Sequence, residues 1–298
     1  MKKILIITCL LASSVSSIWA QQQINFTQYM FDLTTINPAA MGLEKNLSIS
    51  AFSRWQWSGI EGAPNTQTLS IHSPANIHHV ALGFQFVRDE IGVTSNSYAV
   101  PRASYKVKLG HGHLHMGLQA GLQIFSNDLQ DAYVLPSSQD DFNENFTKIL
   151  PTVGYGFHYY RRNFYVGFSS PFAVENSIKV KDEELYTQRQ QYYLTSGVQL
   201  KASDEIEIKP SVLVRAVSGT PVSIDYNLIF LYNETIWAGF SYRAPESISF
   251  LTEIKVHPNF RFGYAYDFII EPTLSSVTSS THEIMINYRH DVVVKKFD

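Results

Sequence analysis

Three histidines, His111, His113 and His115, recur at every second position, a spacing that brings them to one face of a strand. Alternate histidines on a strand can chelate Zn²⁺ or Ni²⁺. The plainer reading is a polar rim beside a short Gly-His-Gly turn. His78 and His79, next to another turn, are read the same way, so neither a metal nor any other cofactor is implied. Asp225, Arg243, Glu253, Lys255, Asp267, Glu283 and Arg289 can line a solute path or pair with one another across a filled lumen. The run Asp182-Glu183-Glu184 reads as solvated surface. The chain contains no Gly-x-Ser-x-Gly, no His-Glu-x-x-His and no P-loop. Nor does a Ser, His and Asp or Asn set fall on the outward faces of its strands, and the chain reads as non-enzymatic.

The elements that carry these side chains are strands. In the segment from Arg261 to Phe268, Phe262, Tyr264, Tyr266 and Phe268 share one face, and Arg261, Gly263, Ala265 and Asp267 share the other. Leu114, Met116, Leu118, Ala120, Leu122 and Ile124 likewise oppose His113, His115, Gly117, Gln119, Gly121 and Gln123. Strand patterns fall at residues 45–58, 65–73, 78–88, 94–108, 112–126, 147–161, 163–170, 190–202, 205–217, 221–232, 235–243, 247–256, 259–270 and 282–294. Every second connection is a short turn rich in Gly, Pro, Asn or Asp, such as Gly110-His111-Gly112, Arg162-Asn163 and Asn233-Glu234. The long connections, 127–146, 171–189 and 271–281, all fall in the other set. A soluble sandwich shares the alternation but has no reason to sort its loops by parity. An outer-membrane barrel has short periplasmic turns on one rim and longer extracellular loops on the other. The expected fold is an all-β transmembrane antiparallel β-barrel of about fourteen strands over residues 45–298. Its apolar faces meet outer-membrane lipid, and its charges face the lumen.

Residues 1–20 read as a cleaved secretory signal peptide. Lys2 and Lys3 precede an apolar stretch from Ile4 to Leu11, and small residues run to Ala20. Cys9 is the only cysteine, so the mature chain has no disulfide, thiolate metal site or thiol nucleophile. After residue 20 no apolar run approaches the roughly 18 residues of a spanning helix. The net charge of −3 argues against a nucleic-acid partner.

Residues 21–44 break the strand pattern and read as an N-terminal periplasmic or plug segment, inside or beneath the barrel. Its Asn37-Pro38-Ala39-Ala40 suggests a turn into one short helical turn that Gly42 ends. Pro38 fixes φ and Gly42 permits positive φ. The stretch from Arg54 to Thr68, with Trp57, Gly62 and Pro64, has hairpin chemistry.

These two segments resemble the PorP/SprF family of outer-membrane proteins tied to the type IX secretion system. The matching residues are Gln28 to Phe31, Asn37 to Ala39 with Gly42, Arg54 with Trp57, and Gly62 to Thr66. Gly92 to Asn96, Tyr264 to Asp267, His282 to Met285 and Tyr288-Arg289 also match. The continuation from His290 to Asp298 departs from the family, which tends to stop soon after that Tyr-Arg pair. The resemblance implies a non-enzymatic role in delivering or holding a large secreted surface protein, including adhesins of gliding motility. Some members associate with periplasmic components of the machine. Asn37, Pro38, Gly42, Arg54, Trp57, Gly62 and Pro64 are the expected partner-binding residues, Arg54 and Trp57 because Arg and Trp are common hot-spot types. The rival reading is an outer-membrane channel or transporter for small solutes.

Overall fold

The computed structural model describes residues 24–43, 45–75, 79–128, 145–180, 183–278 and 280–292. The expected signal peptide, His78, Asp182, most of the 127–146 connection and the end of the C-terminal continuation lie outside these residues. The strands are β1 (Asn46–Trp55), β2 (Asn65–Pro74), β3 (Val80–Ile91), β4 (Thr94–Leu109), β5 (Gly112–Asn127), β6 (Phe146–Arg161), β7 (Phe164–Ser170), β8 (Asn176–Val180) and β9 (Glu183–Gln188). They continue as β10 (Gln191–Val198), β11 (Leu200–Lys201), β12 (Ile206–Val217), β13 (Ser223–Tyr232), β14 (Ile236–Ala244), β15 (Ser247–His257), β16 (Phe260–Ile269) and β17 (Ser280–Asp291).

Apart from the separate β8–β9 hairpin, the strands close into one ring. Each pairs antiparallel with the next, β7 pairs with β10, and β17 returns to β1, with Asn46 opposite Asp291 and Trp55 opposite His282. β10 and β11 form one stave interrupted at Gln199, so the barrel has fourteen strands, as expected. Closure leaves no edge and pairs the backbone groups that lipid cannot satisfy. Among the described residues no helix is long and apolar enough to cross a membrane.

Polarity is distributed inside out. Leu118, Phe240, Ile149 and Phe268 are exposed, whereas Arg54, Gln123, Glu253, Asp267 and Glu283 are buried. Full burial of charge is rare without partners, and a continuous exposed apolar belt is unfavourable in water. Both fit a barrel whose outer solvent is hydrocarbon. Aromatic side chains ring its two ends: Tyr105, Phe164, Tyr232 and Phe260 lie near the short-turn rim, and Trp55, Tyr192, Tyr226 and Tyr242 near the other. Outward rings also pair across strands, Tyr226 with Tyr242 within the long-loop girdle and Phe240 with Phe250 nearer the middle. In the three-residue β13–β14 connection both Asn233 (φ 48°) and Glu234 (φ 50°) are left-handed and Thr235 N donates to Tyr232 O at 3.0 Å, the geometry of a type I′ turn. Leu118 sits halfway up β5. Leu118→Arg is expected to cost about 2–4 kcal/mol, and Leu109→Arg at the short-turn rim only about 0–1 kcal/mol, when refolding into bilayers is titrated with denaturant. Equal costs at the two positions would remove Leu118 from the bilayer midplane.

One long connection differs from its reading as a plain loop. Residues 171–189 contain β8 and β9, whose ladder joins Asn176 to Gln188 and Val180 to Glu183. This hairpin turns into the lumen. Ile178 is buried, and the Tyr186 ring lies 4.7 Å from that of Phe125. The Tyr186 hydroxyl is 3.3 Å from Gln123 Nε2. The turn inward begins at Pro171, whose carbonyl accepts from Gln119 Nε2 at 2.8 Å. Alternating polarity does not reveal such a hairpin, because its contacts are with β4, β5 and β6 rather than with its own neighbours.

Candidate functional site: a plugged lumen

Residues 24–43 thread the lumen. Ile24 packs with Val87, Tyr98 and Val100 in the long-loop half, and Gly42 lies beside Ala81 near the short-turn rim, where the chain passes into β1. Two short 3-10 turns shape the segment. Asp32 caps Leu33–Thr35 by accepting from Thr34 N at 3.0 Å, and Asn37 caps Pro38–Ala40 by accepting from Ala39 N at 2.9 Å.

The wall grips this segment from most sides. Arg54 Nη2 is 2.8 Å from Asp267 Oδ2, and its Nη1 is 2.9 Å from Glu283 Oε2 and 2.8 Å from Thr27 Oγ1. Glu283 accepts from Thr27 N and Gln28 N, both at 2.8 Å, and Asp267 accepts from Thr27 Oγ1 at 2.8 Å. Further wall side chains donate to the plug. Arg102 Nη1 reaches Thr34 O at 2.6 Å, Ser169 Oγ reaches Ile36 O at 2.7 Å, and Ser104 Oγ reaches Met41 O at 2.9 Å. Asn227 Nδ2 donates to the Tyr29 hydroxyl at 2.7 Å. Apolar contact adds to this: Phe26, Tyr29 and Ile36 pack with Phe52, Tyr193, Leu213 and Met285. Buried polar groups are costly unless bonded, and these bonds between wall and plug offset part of that cost.

Small residues make the fit possible. Asn37 and Pro38 press on the inner faces of β5 and β6, where a Cβ at Gly117 would meet the Pro38–Ala39 backbone and one at Gly156 would meet the Asn37 side chain. Asn37 Nδ2 donates to Phe157 O at 3.1 Å.

The seven expected site residues do not form one patch. Asn37, Pro38 and Gly42 (φ 75°) belong to the plug. Arg54, 1% exposed, is a lumen anchor of that plug and presents no surface to a partner while the plug is seated. Trp57, Gly62 and Pro64 lie at the long-loop rim. There Trp57 N donates to Thr281 Oγ1 at 3.1 Å, Gly62 O accepts from Gly92 N at 2.9 Å, and Pro64 O accepts from Gln56 N at 2.9 Å. The first two bonds brace the 56–64 loop against the start of β17 and the β3–β4 turn, and the third closes the loop on itself. Arg102, Thr27, Gly117 and Gly156 were not expected, although lumen-facing Gly and a lone Arg in a strand pattern were visible signals. Of the lumen charges, Arg243 pairs with Asp225 at 3.0 Å and Arg261 with Glu253 at 3.1 Å. Among the described residues no group of three or more His, Cys, Asp or Glu is placed to hold a metal ion.

Solved structures similar to the chain are barrels. The CymD monoaromatic hydrocarbon channel aligns with a TM-score of 0.51 at 13% identity, over 90% of this chain and 93% of its own. The outer membrane protein Omp33 of Acinetobacter baumannii aligns with a TM-score of 0.47 at 9% identity, over 84% of this chain and 100% of its own. A Pseudomonas aeruginosa FadL homologue aligns with a TM-score of 0.49 at 11% identity, covering 86% and 92%. At such identities the likeness concerns the fold alone. Among curated proteins none matches in sequence. The model of the type IX secretion system membrane protein PorP/SprF matches residues 18–288, nearly the whole barrel together with its plug. This chain, an outer-membrane β-barrel, therefore belongs to the PorP/SprF family of type IX secretion system membrane proteins.

Proposed function

We propose that this protein is a non-enzymatic component of type IX secretion that helps deliver, or retain at the surface, a large secreted protein such as an adhesin. The observation that carries the reading, beside the family, is the occupied lumen. A segment of this same chain plugs it and is bonded to β1, β4, β7, β13, β16 and β17. A route for bulk solutes needs an open, water-filled path, and here the polar inner wall is engaged with the plug. In this reading the long connections face outward and the short turns face the periplasm. The partners are outer-membrane lipid, the secreted protein and components of the machine, with no nucleic acid among them.

Deleting the gene is expected to remove one large protein from the cell surface, as seen by surface proteolysis and mass spectrometry. Uptake of small dyes and antibiotics should stay within about twofold of the parent. Lower small-solute permeability with every surface protein in place would overturn the reading and make the protein a channel.

A further inference from the structure

Below the plug, at the short-turn mouth, the lumen opens into a cavity of about 550 Å³. Met30, Phe31 and Leu33 of the plug line it, so it ends blindly against this chain's own residues. Five basic and three acidic side chains share its walls with Trp237 and other aromatic residues. The charges are engaged unevenly. Glu253 is held by Arg261, and Glu207 takes Gln199 Nε2 at 2.6 Å with Lys209 Nζ at 3.8 Å. Arg261 also lies over the Trp237 ring, 4.6 Å from its centroid. Lys255 and Arg162, on opposite sides of the mouth, have no ion-pair partner among the described residues. The third acid, Glu234, likewise has no ion-pair partner among the described residues, so the unpaired charges at the lip, Lys255 and Arg162 against Glu234, leave a net positive charge above an apolar, aromatic floor.

We propose that this cavity is a docking site for an acidic peptide segment of a protein partner, one that carries an aromatic side chain beside its carboxylates. Carboxylates would meet Lys255 and Arg162, and the ring would reach Trp237 and Phe31. The volume lies within the roughly 300–1,000 Å³ range of ligand sites and holds a few side chains, not a folded domain. A blind, open-mouthed pocket suits a short segment whose parent molecule stays outside, and charge complementarity sets the sign of that segment. The proposal rests on the secretion reading for the existence of a protein partner, and on the cavity alone for its chemistry.

The test uses the full-length protein in a nonionic detergent and the dye-labelled peptide Gly-Ser-Glu-Phe-Asp-Glu, followed by fluorescence anisotropy. Saturable binding that weakens with added salt is expected. Lys255→Glu with Arg162→Glu should weaken it at least about tenfold, close to 1.4 kcal/mol. Lys148→Glu, at the far rim, should leave it unchanged. Binding of Gly-Ser-Lys-Phe-Lys-Lys with equal affinity would overturn the proposal. So would indifference to the double charge reversal, or displacement of the peptide by hexanoate at equal concentration, which would mark a site for small acids instead. Thermal melting of each variant confirms that its barrel is folded. The two readings fail separately. If the double variant restores the surface protein to the deletion strain, the cavity is not the docking site while the secretion role stands. If the peptide binds as expected but the deletion strain keeps all its surface proteins, the cavity stands and the secretion role falls.

Discussion

Arg54→Met is expected to lower the stability of the barrel by about 3–5 kcal/mol, the cost of removing one partner from a buried ion pair. The arginine is buried between Asp267 and Glu283, and all three side chains are at most 2% exposed. Methionine keeps much of the volume but leaves two carboxylates without their shared cation. It also strips Thr27 Oγ1 of a charged donor. The measurement is denaturant unfolding in bilayers or detergent. Neutralising the acids as well, in Arg54→Met with Asp267→Asn and Glu283→Gln, should regain most of the loss, because a buried charge cluster replaced as a whole is often near neutral. A single-variant cost under about 1 kcal/mol, the range of an exposed pair, would mean that Arg54 does not hold the plug.

Gly156→Leu is expected to evict the Pro38–Ala40 turn while leaving the barrel folded. Leucine suits a strand backbone, so the ring itself has no cause to fail. Its side chain, however, must enter the space of the Asn37 side chain and the Pro38 ring. Overpacking of a filled interior costs about 1–3 kcal/mol, and the plug has a route to relieve it by leaving. In planar bilayers the variant should conduct at least about tenfold more than the parent, a change of about 1.4 kcal/mol in the open–closed balance. Hydrogen exchange over residues 37–40 should rise in parallel. Parent-like conductance with those amides still protected would show that the wall can absorb the side chain.

Much of this molecule is legible one strand at a time. Leu118 faces outward and Gln119 inward because side chains alternate with a period of two. That rule needs no knowledge of the partner strand. Asn37-Pro38 announces its own turn, since a capping side chain and a fixed φ act within a few residues. The sorting of short and long connections also follows from local turn chemistry at Arg162-Asn163 and Asn233-Glu234. Strand number, the greasy face and the wet face were therefore determined by the sequence alone. What the wet face does was not. Thr27 meets Glu283 across 256 positions of chain, and Arg54 meets Asp267 across 213. Gly156 has meaning only because Asn37 lies against it. These contacts exist only once β17 has returned to β1 and enclosed a space. The same polar face could equally line open water, and local periodicity is identical in the two cases. Closure of the ring around residues 24–43 decided between them, because a buried charge persists only where a partner from elsewhere in the chain satisfies it.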